Sequence, residues 1–176
     1  MKFFKILTAV LIAGVISHIG WCQNTKLVVK EKNESMITER REAFSQQLAS
    51  MVDREMAYRR VPLSADYAFV IFEYNDDIYV QSKSHTANTI VLDLPIQILN
   101  ADRIKLLKQY YSDIHETIGM DADGVKELVS YQIYFGDKNI QNNIKAASKV
   151  ADDIFINVFH LNPDYSLRAV ITDQNN

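Results

Sequence analysis

Residues 67–83, YAFVIFEYNDDIYVQSK, constrain the fold more than any other stretch of the chain. Tyr67 to Tyr74 is rich in aromatic and β-branched residues, with apolar positions on both faces. That is the pattern of a strand central to a sheet. Asn75, Asp76 and Asp77 then supply a tight turn, and Ile78 to Lys83 returns as the partner strand. A chain with this hairpin near its middle has to build a sheet around it.

The flanking segments supply helices. From about Ser35, the residues Ile37, Phe44, Leu48, Met51, Val52 and Met56 follow helical spacing, and Pro62 requires the helix to stop. Asn100 is a good N-cap, with Asp102 in the first turn. Ile104, Leu107, Tyr111, Ile114 and Ile118 recur at three and four, and Gly119 follows as a stop. This predicts a second long helix from Asn100 to Ile118. Ile140, Ile144, Ala147 and Val150 predict a short amphipathic helix.

Between them lie further strands. Thr89 to Leu94 is the third, ended by Pro95. Leu128 to Phe135 places Val129, Tyr131, Ile133 and Phe135 on one face. Ile154 to Leu161 reads as another strand, Asn162-Pro163-Asp164-Tyr165 as a turn, and Leu167 to Thr172 as the last strand. The expected class is α+β: a single domain with a mostly antiparallel sheet of five to six strands. Two long helices and one short helix pack on one face, and the other face is more exposed.

The N-terminus has a different character. Lys2 and Lys5 precede an apolar run, Ile6 to Ile16, too short to span a bilayer as a helix. Gly20 and Cys22 then offer small residues for cleavage. Residues 1–22 read as a secretory signal peptide, residues 23–34 as a flexible arm, and residues 35–176 as the α+β domain. The alternative, a lipoprotein anchored through Cys22, is disfavoured by the bulky Trp21. Cys22 is the only cysteine. Cleavage after it leaves an exported chain that must hold together by packing alone, without disulfides or thiolate chemistry.

Loss of Lys2 and Lys5 takes the formal net charge from −3 to −5. Such an acidic domain is poorly suited to nucleic acid or anionic lipid. No transmembrane span is expected in the mature form.

Motifs for chemistry are sparse. His85, His115 and His160 have no zinc spacing. His85 falls in the polar loop Ser84–Asn88, and loops carry sites. His160 falls on the same predicted strand face as Ile154, Ile156 and Val158. Asp121-Ala122-Asp123-Gly124 fails as a calcium loop, because its first and twelfth positions are Gly119 and Ser130. Asp76-Asp77 and Asp152-Asp153 read as turn residues, since neighbours on a strand point to opposite sides. No nucleophile elbow or phosphate loop occurs.

The nine tyrosines and eight phenylalanines are more distinctive. If Tyr79 and Tyr134 share the exposed sheet face, they form an adhesive patch for a protein partner or a small apolar ligand. The expected role is a non-catalytic exported binding protein of a bacterial envelope, with no cofactor and no metal. Its candidate contacts are Tyr79, Tyr134, His85 and His160. The alternatives are a secreted hydrolase, or a pocketed ligand-binding protein, using His85 or His160 with carboxylates, and a periplasmic immunity-type inhibitor.

Overall fold

A computed structural model of the chain describes residues 34–60, 67–86, 88–120 and 123–174. The expected signal peptide, and residues 23–33 of the expected arm, lie outside the described residues. The chain divides into two compact units, residues 1–38 and 39–176. In the first, the described residues 34–38 are helical, and the Thr38 hydroxyl donates to the Glu34 carbonyl at 2.8 Å.

The second unit carries one antiparallel sheet. Its strands are β1 (Tyr67–Asn75), β2 (Ile78–Thr86), β3 (Thr89–Pro95), β4 (His115–Met120), β5 (Lys126–Phe135) and β6 (Arg168–Gln174), in the spatial order β4-β5-β3-β2-β1-β6. Helix α1 covers residues 34–58, α2 Ala101–Tyr110 and α3 Ile140–Asn157. This is the expected α+β architecture, but α2, expected to be long, is the short helix, and α3, expected to be short, is long.

The β1–β2 hairpin forms where the alternation placed it. Its turn is closed by the Asn75 side chain, whose Oδ1 accepts the Asp77 N–H at 3.0 Å. Val70 and Phe72 of β1, Val80 of β2, Ile90, Leu92 and Leu94 of β3, and Tyr131 and Ile133 of β5 are buried in one core. Phe44, Leu48, Met51 and Val52 of α1 join it, as do Leu107 of α2 and Ile144, Ala147, Ala151, Ile154 and Phe155 of α3. All three helices therefore feed the same sheet face. Phe44 and Phe72 meet with ring centroids 4.5 Å apart, and Phe44 reaches Phe155 at 6.3 Å.

Polar side chains tie the elements at their ends. Glu55, nearly buried, accepts the Ala68 N–H at 3.1 Å and the Arg59 Nε–H at 2.9 Å, which joins the end of α1 to the start of β1. Asn143 of α3 donates to the carbonyls of Asn88 and Asp137 at 2.7 and 2.9 Å and accepts the Asp137 N–H at 3.0 Å. One amide thus satisfies the backbone of two loops.

Two elements differ from the sequence reading. The helix capped by Asn100 ends at Tyr110 instead of Ile118, and His115–Met120 is strand β4. Tyr111 already has extended backbone angles, φ −128° and ψ 113°. Thr117, Ile118 and Gly119 are poor helix formers, and pairing with β5 satisfies their backbone instead. Likewise, Ile154–Leu161 is not a strand. The short helix expected from Ile140 continues to Asn157, because Ile144, Ala147, Ala151, Ile154, Phe155 and Val158 lie along one helical stripe.

The connection explains why that helix is long. It leaves β5 and delivers the chain to β6, four strand positions away. At about 4.8 Å per strand this crossing is about 19 Å, and an 18-residue helix is about 27 Å long. A helix ending at Val150, as the sequence pattern suggested, is about 17 Å long and by itself shorter than the crossing.

His160 sits just past α3, exposed, with φ +57°. Phe159 and Leu161 donate their N–H groups to the carbonyls of Ile154 and Phe155 there, at 3.1 and 3.0 Å. This left-handed position normally takes glycine. His160→Gly is expected to stabilise the fold by about 0.5 kcal/mol, since relief of the left-handed strain exceeds glycine's extra unfolded-state entropy. The check is a higher urea midpoint at unchanged slope.

Candidate functional site

Because side chains alternate along a strand, the face away from the helices is fixed by the buried set above. It carries Phe69, Ile71 and Glu73 of β1, Tyr79, Gln81 and Lys83 of β2, Val91 and Asp93 of β3, and Ser130, Gln132 and Tyr134 of β5. Phe69, Ile71 and Val91 belong to no part of the helix-covered core, although Val91 is itself fully buried and the partly buried Tyr79 packs against that core. The strand registers arrange these residues in rows. Tyr134 stands opposite Val91, Val91 opposite Lys83, and Lys83 opposite Phe69. The next row runs His115, Gln132, Asp93, Gln81, Ile71, Val170. A third holds Tyr79, Glu73 and Arg168, with the Arg168 guanidinium on the Glu73 carboxylate at 2.7 Å.

The middle row is internally bonded. The Tyr134 hydroxyl donates to Gln132 Oε1 at 2.7 Å, and Gln132 Nε2 donates to Asp93 Oδ1 at 3.2 Å. Both ends of one amide are thereby oriented, and Gln132 is only 5% exposed. The His115 ring meets Tyr134 edge-on at 5.1 Å, and its Nε2 lies 3.2 Å from Asp113 Oδ1. Partial burial, and then the negative charge of Asp93, raise the Tyr79 hydroxyl above its ordinary pKa. Tyr79 therefore stays a neutral donor at any physiological pH.

Tyr79 and Tyr134 do share the outer face, but they do not touch. They lie two strands and two rows apart, about 17 Å, with Gln81, Asp93 and Gln132 between them. The surface is a strip with an aromatic residue at each end and amide and carboxylate groups in the middle. Such a strip can stack on rings at its two ends, while Gln132 in its middle is buried and already bonded on both sides.

The other two candidates fall elsewhere. His160 is at the end of α3, not on a strand face. His85 lies within β2, which runs to Thr86, beside the irregularity between Ser84 and Thr86. Its side chain lies outside the described residues. His115, expected near the end of a helix, is the histidine that the fold brings to the outer face.

A second polar cluster was hidden in the sequence. Asp152 has a fully buried side chain on α3 and accepts Arg40 Nε–H at 2.6 Å, Arg41 Nε–H at 2.8 Å and the Tyr165 hydroxyl at 2.8 Å. Asp153 takes Arg41 Nη2 at 2.8 Å and Lys149 Nζ at 2.5 Å. Arg40 also stacks over the Tyr165 ring at 4.0 Å and donates to the Pro163 carbonyl at 2.7 Å. The adjacent aspartates are therefore not turn residues. They clamp α1, α3 and the segment before β6. The paired signals, Arg40-Arg41 and Asp152-Asp153, stand 112 residues apart and could be matched only through the fold.

This cluster makes stability sensitive to alkali. Burial, with the neighbouring aspartate charges, holds the hydroxyls of Tyr165 and Tyr111 above their ordinary pKa of 10.0. Below that pH both states keep the proton and nothing changes. Above it the unfolded chain releases protons that the fold retains, so stability falls as pH rises. The expected slope is at most about 1.4 kcal/mol per pH unit for each tyrosine. Urea midpoints measured between pH 8 and 11 check this, and Tyr111→Phe is expected to flatten the alkaline limb.

Among the described residues, no group of three or more His, Cys, Asp or Glu is placed to hold a metal ion, and no helix is long and apolar enough to cross a membrane. Comparison of the chain with family models, with curated proteins and with solved structures finds no match.

Proposed function

We propose that this chain is an exported protein of a bacterial envelope that acts by binding, without catalysis, through the outer face of its sheet. The charged, apolar and small-residue sequence of residues 1–22 supports export. The observation that carries the binding role is the sidedness of the sheet. All three helices pack on one face, while the other presents Tyr79, Tyr134 and His115 around a hydrogen-bonded Gln132–Asp93 centre.

A protein partner suits this face better than a small ligand. Six strands averaging eight residues give a surface of about 24 by 26 Å, close to the area one side of a small protein interface buries. Aromatic residues at its two ends are the type that dominates binding energy at interfaces.

The test replaces both tyrosines, Tyr79→Ser with Tyr134→Ser, and measures capture of a partner from an envelope extract. Both side chains are partly exposed, so the fold is expected to persist. Capture is expected to fall at least about tenfold, the effect of losing about 1.4 kcal/mol. Unchanged capture removes the face from consideration.

A further inference from the structure

Strand β4 ends the sheet: among the described residues it has a strand neighbour on one side only, β5. Edge strands generally carry a device against pairing with another chain, such as a central lysine, a proline, a bulge or a covering element. The β4–β5 register shifts between Thr117 and Ile118, but the extra residue, Val129, lies on β5, so β4 keeps its own alternation. The inner part of β4, Thr117-Ile118-Gly119-Met120, has neither lysine nor proline. Ile118 is 53% and Met120 71% exposed, and Val125 beyond the hairpin end is 59% exposed. The carboxylate of the strand, Glu116, is already held by Lys108 Nζ at 3.0 Å. The opposite edge differs, because Arg168 of β6 is turned to Glu73 and neither Val170 nor Ile171 is fully exposed.

We propose that a second copy of this chain pairs antiparallel along β4, about a two-fold axis through Thr117, joining two sheets into one. An antiparallel pair with two-fold symmetry must set one residue opposite its own mate, since only then do facing side chains lie on the same side of the sheet. Centring on Thr117 sets threonine against threonine, Glu116 against Ile118, His115 against Gly119 and Ile114 against Met120. No like charges face each other. The threonine pair is a favourable cross-strand combination, and the exposed Met120 gains Ile114 as an apolar partner. Centring on Ile118 instead sets Glu116 against Met120 and leaves Ile114 without a residue opposite it in β4. The proposal is independent of the outer-face reading, since it uses the edge of the sheet.

Sedimentation of the purified chain over a concentration series tests the proposal. The expected result is a reversible dimer. Thr117→Lys and Thr117→Glu each set two like charges face to face, and each is expected to weaken the dimer at least about tenfold. An equimolar mixture of the two variants is expected to restore a dimer, because lysine then faces glutamate. Concentration-dependent protection of the β4 amides from hydrogen exchange gives a second readout on the unaltered chain. A monomer at every concentration overturns the proposal. So does a dimer that Thr117→Lys leaves intact, or amides of β4 whose exchange does not change with concentration.

Discussion

Asp152→Ala is expected to lower stability by about 3–5 kcal/mol, because it leaves buried positive charge without its counter-ion. Asp152 is the common acceptor for Arg40, Arg41 and Tyr165, at 2.6, 2.8 and 2.8 Å, and its side chain has no solvent exposure. Arg41 retains Asp153, but Arg40 is left with the Pro163 carbonyl and the Tyr165 ring. In a chain of this size such a loss lowers the melting temperature by about 10 °C. Asp152→Asn keeps the volume while removing the charge, and is expected to cost nearly as much. Urea titrations of both variants measure the loss. A cost below about 1 kcal/mol for either means that water reaches Arg40 and that the clamp is a surface ion pair in energetic terms.

Phe155→Ala is expected to cost about 3–5 kcal/mol through a different mechanism, the opening of a cavity. Phe155 is fully buried and stands among Phe44, Phe159 and Tyr165, with ring centroids at 6.3, 5.8 and 5.5 Å. These rings come from α1, from the end of α3 and from the segment before β6, so no single element can close over the void. Phe155→Leu fills part of it and is expected to recover more than half of the loss. Because Phe155 and Asp152 both touch Tyr165, the two substitutions are expected to be non-additive.

Both predictions concern α3, the element that the sequence rendered least well. Asp-Asp-Ile-Phe-Ile-Asn-Val-Phe-His-Leu alternates enough to resemble a strand, yet the same residues fit the helical stripe that starts at Ile144. Local periodicity could not choose, because the deciding interactions are remote. Arg40 and Arg41 neutralise Asp152 from a helix 112 and 111 residues upstream. The end of α2 failed for a related reason. Leu107, Tyr111, Ile114 and Ile118 keep helical spacing across a boundary that pairing with β5 imposes. The β1–β2 hairpin, the Asn100 cap and the face shared by Tyr131, Ile133 and Phe135 were legible, since each rests on interactions within a few residues.

The outer face was legible only in part. The sequence left it as a condition that Tyr79 and Tyr134 share a face, because both that and their separation depend on how the strands pair. β3 lies between β2 and β5, which inserts Asp93 between Gln81 and Gln132. His115 reached that face only because β4 exists.

The most direct test of the outer-face account is site-specific photocrosslinking in the envelope. A photoreactive phenylalanine analogue placed at Tyr79 or Tyr134 is expected to give a covalent adduct with one partner protein. The same group at Lys145, exposed on α3 on the opposite side of the sheet, is expected to give none. Adducts from Lys145 with none from Tyr79 or Tyr134 would place recognition on the helical side and contradict the account.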